Sequence, residues 1–219
     1  MIIKRYGIEL HRIKHSDIEL IRTMRNRADI RARMFDQKSI SKNQQEKWFK
    51  SINNMHNFFF LICYQGQYIG LLQGKDIDFN NREAEGGIFV WEQSIQGTGV
   101  PAKASICLME ASFSVLLMQK IYARTRKDNM GAWQYNLSLG YAPALDKGED
   151  YMLLTKEAYE KNADRFRYYA SGKKNTSAFS IMNDLEIPNA SKYRHLYEGL
   201  PEDILSPLKP KLLKPNGWL

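Results

Sequence analysis

Residues Glu85 to Lys103 read EGGIFVWEQSIQGTGVPAK. Gly86-Gly87 lead into Ile88-Phe89-Val90-Trp91, a β-branched and aromatic run of strand length. Gln96-Gly97-Thr98-Gly99 follows, where missing Cβ atoms let a ligand approach the backbone. Pro101 suits the first turn of a helix, because its absent N–H is needed least there. The helix is expected from Ala102 to about Gln119 and is apolar on most faces. Unpaired N–H groups and the positive dipole end at such a terminus attract anions, so the stretch reads as a phosphate or pyrophosphate seat. The G-K-[ST] ending of a Walker loop is absent, and the Rossmann glycine spacing does not fit.

The flanking sequence places this unit within a larger sheet. Residues 6–14 alternate as a strand, and Ser16 or Asp17 caps a helix running to Asn26. A short helix over 29–34 and another from Ser41, carrying Trp48, Phe49 and Ile52, come next. Phe58–Tyr64 and Tyr68–Ile77 form a hairpin, and the strand bearing Glu85 returns after Asn80-Asn81. Lys120–Arg126 is a further strand. Asp128 or Asn129 caps a helix that ends at Gly140, and Tyr141–Leu145 and Tyr151–Thr155 form a last pair of strands. Residues 156–170 have helical periodicity, broken at Gly172–Asn175. Five of the seven prolines follow Ile187, which predicts an irregular tail whose Tyr193, Tyr197 and Trp218 dock on the body.

The chain has 219 residues, 43% hydrophobic and 26% charged, as expected of a soluble globular protein with one main domain. No apolar run approaches membrane-span length and the N-terminus lacks a secretory pattern, so a cytoplasmic location is expected. Cys63 and Cys107 sit in apolar surroundings and read as buried thiols. The four histidines show no ligand or triad spacing, and no metal site is expected. The net charge of +8 arises mainly in residues 1–50, with 13 Lys/Arg against 6 Asp/Glu. That patch would steer an acidic cofactor or phosphorylated substrate; no nucleic-acid motif accompanies it, and nucleic acid is not the expected partner.

The segment Asn129 to Tyr141, NMGAWQYNLSLGY, resembles the N-x-x-[AS]…G-[FY] helix of the GNAT N-acetyltransferase family, with Ala132, Gly140 and Tyr141 at the matching offsets. E-G-G followed by G-T-G and a helix is similar to that family's E-x-G strand and coenzyme A loop. Arg25-Asn26 and Trp48-Phe49 resemble the branch of ribosomal-protein N-terminal and amino-sugar nucleotide acetyltransferases. The likeness spans about residues 7–155. It implies an α/β (α+β) domain over 1–155, with a mixed, mostly antiparallel sheet of about seven strands flanked by helices. Residues 156–219 form a helical and irregular extension, expected to cover the acceptor pocket or to make a homodimer contact.

The resemblance further implies acetyl transfer from acetyl-CoA to a primary amine, with no metal. The cofactor is then held by Phe89, Val90, Trp91, Gln96, Gly97, Thr98, Gly99 and Asn129. Glu85 is the expected base, with Glu92 as second choice, because the amine must lose a proton before attack. The position seven after Asn129, where many members carry a tyrosine that protonates the thiolate, is Asn136. The tyrosine stands one residue earlier at Tyr135, about 100° around the helix, and is the catalytic candidate for that acid, with packing as the alternative. Arg25, Asn26 and Arg31 are the expected acceptor contacts, favouring a phosphorylated or nucleotide-linked amino sugar. A protein N-terminus, a metabolite amine, or non-catalytic acyl-CoA or nucleic-acid binding are the alternatives.

Overall fold

A computed structural model describes residues 1–172, 181–187 and 194–212. Its strands are β1 (Ile2–Arg5), β2 (Ile8–Arg12), β3 (Phe58–Tyr64), β4 (Gln67–Asp78), β5 (Glu83–Val90), β6 (Lys120–Arg124), β7 (Ala142–Pro143), β8 (Tyr151–Thr155) and β9 (Leu185–Glu186). The helices are α1 (Ile18–Asn26), α2 (Ala28–Arg31), α3 (Lys42–Ile52), α4 (Val100–Ser114), α5 (Met130–Ser138), α6 (Lys156–Ser171) and α7 (Glu202–Leu212). All nine described strands join one sheet in the order β7-β8-β6-β5-β4-β3-β2-β1-β9. Among the described pairings only β5–β6 is parallel.

The sheet is covered on both faces, and β3 shows why. Its run Phe58-Phe59-Phe60-Leu61-Ile62 is buried throughout, and side chains alternate across the pleat. Phe58, Phe60 and Ile62 join a core with α4, α6 and α7 (Ala104, Ile106, Phe166 and Leu208). Phe59 and Leu61 join a second core with Ile18, Ile21, Ile30 and Phe49 of α1–α3. A reciprocal capping box starts α3: Gln44 N donates to Ser41 Oγ, and Ser41 N donates to Gln44 Oε1.

Several elements differ from expectation. The single strand predicted over 6–14 is instead the second arm of a hairpin, turned by Tyr6 at φ 58° and Gly7 at φ 77°. A tyrosine in the left-handed region is not a recognisable turn signal. Helix α4 stops at Ser114 rather than near Gln119, because Leu117 turns left-handed at φ 55° and Met118 drops into the core. The strand predicted over 141–145 shrinks to Ala142–Pro143. The tail is less irregular than its prolines suggest: β9 pairs with β1, and α7 keeps Pro207 and Pro210 inside it. Burial of Ile204, Leu208 and Leu212, spaced four apart on one stripe, offsets the hydrogen bonds those prolines remove. Tyr197 docks as predicted and is fully buried; Tyr193, Trp218 and 173–175 lie outside the described residues.

One buried ion cluster ties the segment after β8 to the sheet. Glu110 of α4, 2% exposed, accepts hydrogen bonds from Arg5 Nε (2.7 Å), Tyr6 Oη (2.9 Å) and Arg167 Nε of α6 (3.0 Å). Arg5 also pairs with Asp184. Nearby, Tyr159 of α6 stacks on Phe113 of α4 with ring centroids 4.7 Å apart. Removing the carboxylate charge leaves the buried Arg5 with Asp184 as its remaining carboxylate and Arg167 with Asp164. Glu110→Gln is expected to lower unfolding stability by about 3 kcal/mol in urea titration. A loss within about 0.5 kcal/mol would show that the cluster does not hold α6 down.

Candidate active site

The parallel pairing of β5 with β6 runs from Glu83↔Lys120 to Gly86↔Ala123 and stops there. On its other edge β5 stays paired with β4 through Val90. From Gly87 to Val90 the edge facing β6 therefore has no partner strand. A cavity of about 1300 Å³ opens through this gap and reaches both faces of the sheet. It touches Trp48 and Phe59 on the α1–α3 side, and Leu108, Met109 and Leu139 on the α4–α5 side. Backbone polar groups left unpaired need a partner, so the exposed β5 edge is suited to an amide-bearing chain.

The glycines keep this gap clear. A Cβ on Gly87 would stand 2.7 Å from Gln73 Nε2, and one on Gly86 would stand 3.2 Å from Ile121 Cγ2. At the cavity's end lies the Gln96–Pro101 loop. Gly97 and Gly99 are left-handed, at φ 81° and 82°, and Gly99 is the N-cap of α4. Thr98 Oγ1 donates to Ile95 O at 2.7 Å and closes the turn. The N–H groups of Gly97, Gly99 and Ala102 have no acceptor among the described residues. Free donors and the positive dipole end at a helix N-terminus favour an anion.

The expected site residues divide into two groups. Glu85, Phe89, Val90, Gln96, Gly97, Asn129, Tyr135 and Arg25 line the cavity. Trp91, Thr98, Gly99, Asn26 and Arg31 do not. Trp91 is buried in the α1–α3 core, where its Nε1 donates to Tyr68 O at 2.8 Å. Asn26 staples the 36–40 loop, accepting from Ile40 N at 2.7 Å and donating to Ile40 O at 2.8 Å. Glu92 lies off the wall and caps the following turn through Ser94, which holds its carboxyl below the usual range.

Glu85 is 18% exposed, with Oε1 3.0 Å from Lys75 Nζ, its register partner on β4. Burial alone would lower the Lys75 pKa, but hydrogen bonds to Asp76 and Glu85 outweigh it and raise it. Lys75 therefore stays charged and holds the Glu85 carboxylate at the cavity. Asn129 caps α5, accepting from Ala132 N at 3.1 Å. Tyr135 packs against α4 rather than the sheet: its hydroxyl lies 3.0 Å from Pro101 O and 2.6 Å from Ser105 Oγ. Burial raises its pKa. Asn136, at the position of the missing tyrosine, donates to Thr125 Oγ1 at 2.9 Å.

Sequence reading missed Arg124 and Arg126, at and just beyond the end of β6. Arg124 stacks 4.2 Å over Phe35, and Arg126 donates to Met34 O at 2.9 Å and pairs with Asp128. Arg33 Nη1 donates to Gln96 Oε1 at 3.2 Å, joining the segment after α2 to the glycine loop. On the α1–α3 side two buried donors on the wall have no partner: Arg25 Nη1 and Gln45 Nε2. Among the described residues no group of three His, Cys, Asp or Glu could hold a metal ion. No described helix is long and apolar enough to cross a membrane. No described residue from 156–212 lines the cavity; the extension reaches the glycine loop through the Tyr169 hydroxyl near Gly99.

Comparison with known proteins agrees with this geometry. Spermidine N(1)-acetyltransferase of Escherichia coli K12 is 22% identical over 138 residues, covering 63% of this chain and 74% of that protein. The structure of Vibrio cholerae spermidine N-acetyltransferase in complex with CoA and spermine superposes with a TM-score of 0.61 at 21% identity, covering 70% of this chain and 98% of that one. An aminoglycoside acetyltransferase in complex with coenzyme A superposes with a TM-score of 0.60 at 17% identity, covering 71% and 99%. Residues 8–141 match the acetyltransferase (GNAT) domain, and the chain belongs to that family of N-acetyltransferases.

Proposed function

We propose that residues 1–155 transfer an acetyl group from acetyl-CoA to a primary amine that also carries an anionic, oxygen-rich group, such as a nucleotide-linked amino sugar. The cofactor supplies an activated thioester carbonyl. The residues present fit it: the N–H groups of Gly97, Gly99 and Ala102 suit its pyrophosphate, and the open edge of Gly87–Val90 suits its amide-bearing arm. Asn129 and Gln96 line the path between them. Glu85 takes the proton that the acceptor's ammonium must lose, directly or through one water.

The observation that carries the acceptor class is the wall on the α1–α3 side. Its charged lining is Arg25, Arg33, Lys38 and Lys75 against Asp36 and Glu85, a net positive wall, and the partnerless Arg25 Nη1 and Gln45 Nε2 are buried within it. A polyammonium acceptor offers N–H donors only and would meet this wall with like charge. Phosphate and sugar oxygens would satisfy it, and guanidinium binds phosphate bidentately. A polyamine is the second reading, favoured by the spermidine N-acetyltransferases among the relatives. Assayed by thiol release, a nucleotide-linked amino sugar is expected to exceed spermidine in kcat/KM, and Arg25→Ala to raise KM for it. The reverse order would select the polyamine.

Glu85→Gln is expected to lower kcat about 100-fold with the acetyl-CoA Kd unchanged. An unchanged kcat would remove Glu85 from the chemistry. Gly99→Ala puts a Cβ on a left-handed residue, 2.5 Å from the Tyr169 hydroxyl. The change is expected to weaken acetyl-CoA binding about tenfold by calorimetry. Binding as tight as in the parent protein would mean that the loop does not seat the phosphates.

A further inference from the structure

Arg124 ends β6 and lines the cavity with an exposed side chain. Of the four arginines on the described wall, Arg25 donates to Asp36 O, Arg33 to Gln96, and Arg126 to Met34 O and Asp128. Arg124 alone donates no hydrogen bond and forms no ion pair among the described residues. Two rings hold its guanidinium instead, Phe35 at 4.2 Å and Tyr151 at 5.5 Å from their centroids. A guanidinium stacked on ring faces keeps its N–H edge free, so its donors are set in place without being used.

Strand β6 places that edge on the acceptor side. Ile121 and Ala123 join the core with α4, so Tyr122 and Arg124 alternate onto the α1–α3 side. Tyr151 of β8 is the register partner of Arg124, and Glu85 of β5 that of Tyr122. Arg124 therefore stands two residues beyond the Glu85 row, about 7 Å along the strand, which is the span of one substituted sugar ring. Phe35 completes the element. It is 46% exposed, and among the described residues it is the one exposed large hydrophobic side chain on the cavity wall. Arg124 stands over one face of the ring, which leaves the other to solvent. The backbone on either side is pinned, by Arg126 at Met34 O and by Arg25 at Asp36 O.

We infer that the Phe35–Arg124–Tyr151 stack is a nucleotide clamp for the acceptor, the Arg124 edge taking a phosphate and the open face of Phe35 taking the base. The inference rests on the phosphorylated-acceptor reading above and adds the base to it. Guanidinium binds phosphate oxygens bidentately, and every base has a face that stacks on an aromatic ring. A polyammonium offers no acceptor to the guanidinium fork and no flat face to the ring.

Calorimetry on the CoA-saturated protein tests the clamp, since CoA already in place keeps its own nucleotide from competing. UDP, dTDP, CDP, GDP and ADP are titrated into the parent protein, Arg124→Lys, Phe35→Leu and Phe35→Trp. At least one nucleoside diphosphate is expected to bind the parent protein. Arg124→Lys, which keeps the charge and loses the fork, should weaken it about tenfold, and Phe35→Leu should do the same. Phe35→Trp should keep the affinity, with its fluorescence quenched by the ligand beyond any quenching in the parent protein. Equal affinity in the parent protein, Arg124→Lys and Phe35→Leu would overturn the inference, and loss in one variant alone would overturn the paired clamp. Absence of any nucleotide binding would overturn it too, and thiol release then separates the two readings. An amino sugar phosphate that still exceeds spermidine in kcat/KM leaves the acceptor class standing without the base, whereas the reverse order overturns both.

Discussion

The structure depends on the parting of β5 and β6 after Gly86. Adjacent strands ordinarily satisfy each other's backbone groups, and a sheet that gives up a ladder in its middle loses hydrogen bonds unless something replaces them. Here β4 holds β5 straight through Val90 while β6 is drawn away toward β8, so the gap is fixed by pairings on both sides. A rigid frame with an unpaired edge is preorganised for a ligand that brings its own amides. The glycines at 86 and 87 keep that edge free of side chains, and the glycine loop and α4 terminus set a cluster of N–H donors at one end.

Two features keep the frame stiff. Glu110 gathers Arg5, Tyr6 and Arg167, so α4, the first hairpin and α6 move together. On the opposite face Asn26 staples the 36–40 loop, and Arg126 reaches across to Met34 O, so the acceptor side is assembled from segments far apart in sequence. The chemistry follows from this division of faces. Glu85 and its partner Lys75 stand on the α1–α3 side of β5, so the proposed proton removal belongs to that face of the gap.

The strand, loop and helix start over residues 85–103 were legible because glycine and proline act locally, through backbone angles and missing N–H groups. The Asn129 cap was legible for the same reason. The gap itself was not, since it depends on where β6 stops pairing, and neither was the Lys75–Glu85 contact, which requires the β4–β5 register. Trp91 was misplaced by a strand that ends one residue earlier, where its N–H turns to Ile69 O. Asn26 looked like a substrate contact because an exposed asparagine and a loop staple read alike. Helix α7 was hidden by its prolines, whose local cost is overridden by Ile204, Leu208 and Leu212.

In the proposed complex one ligand bridges the open β5 edge and the N-terminus of α4. Amide hydrogen exchange with and without saturating acetyl-CoA tests it most directly. Slowed exchange is expected at Gly87–Val90 and at Gly97–Ala102 together, with the β3 amides unchanged. Protection confined to other segments, or to the loop without the strand, would contradict it.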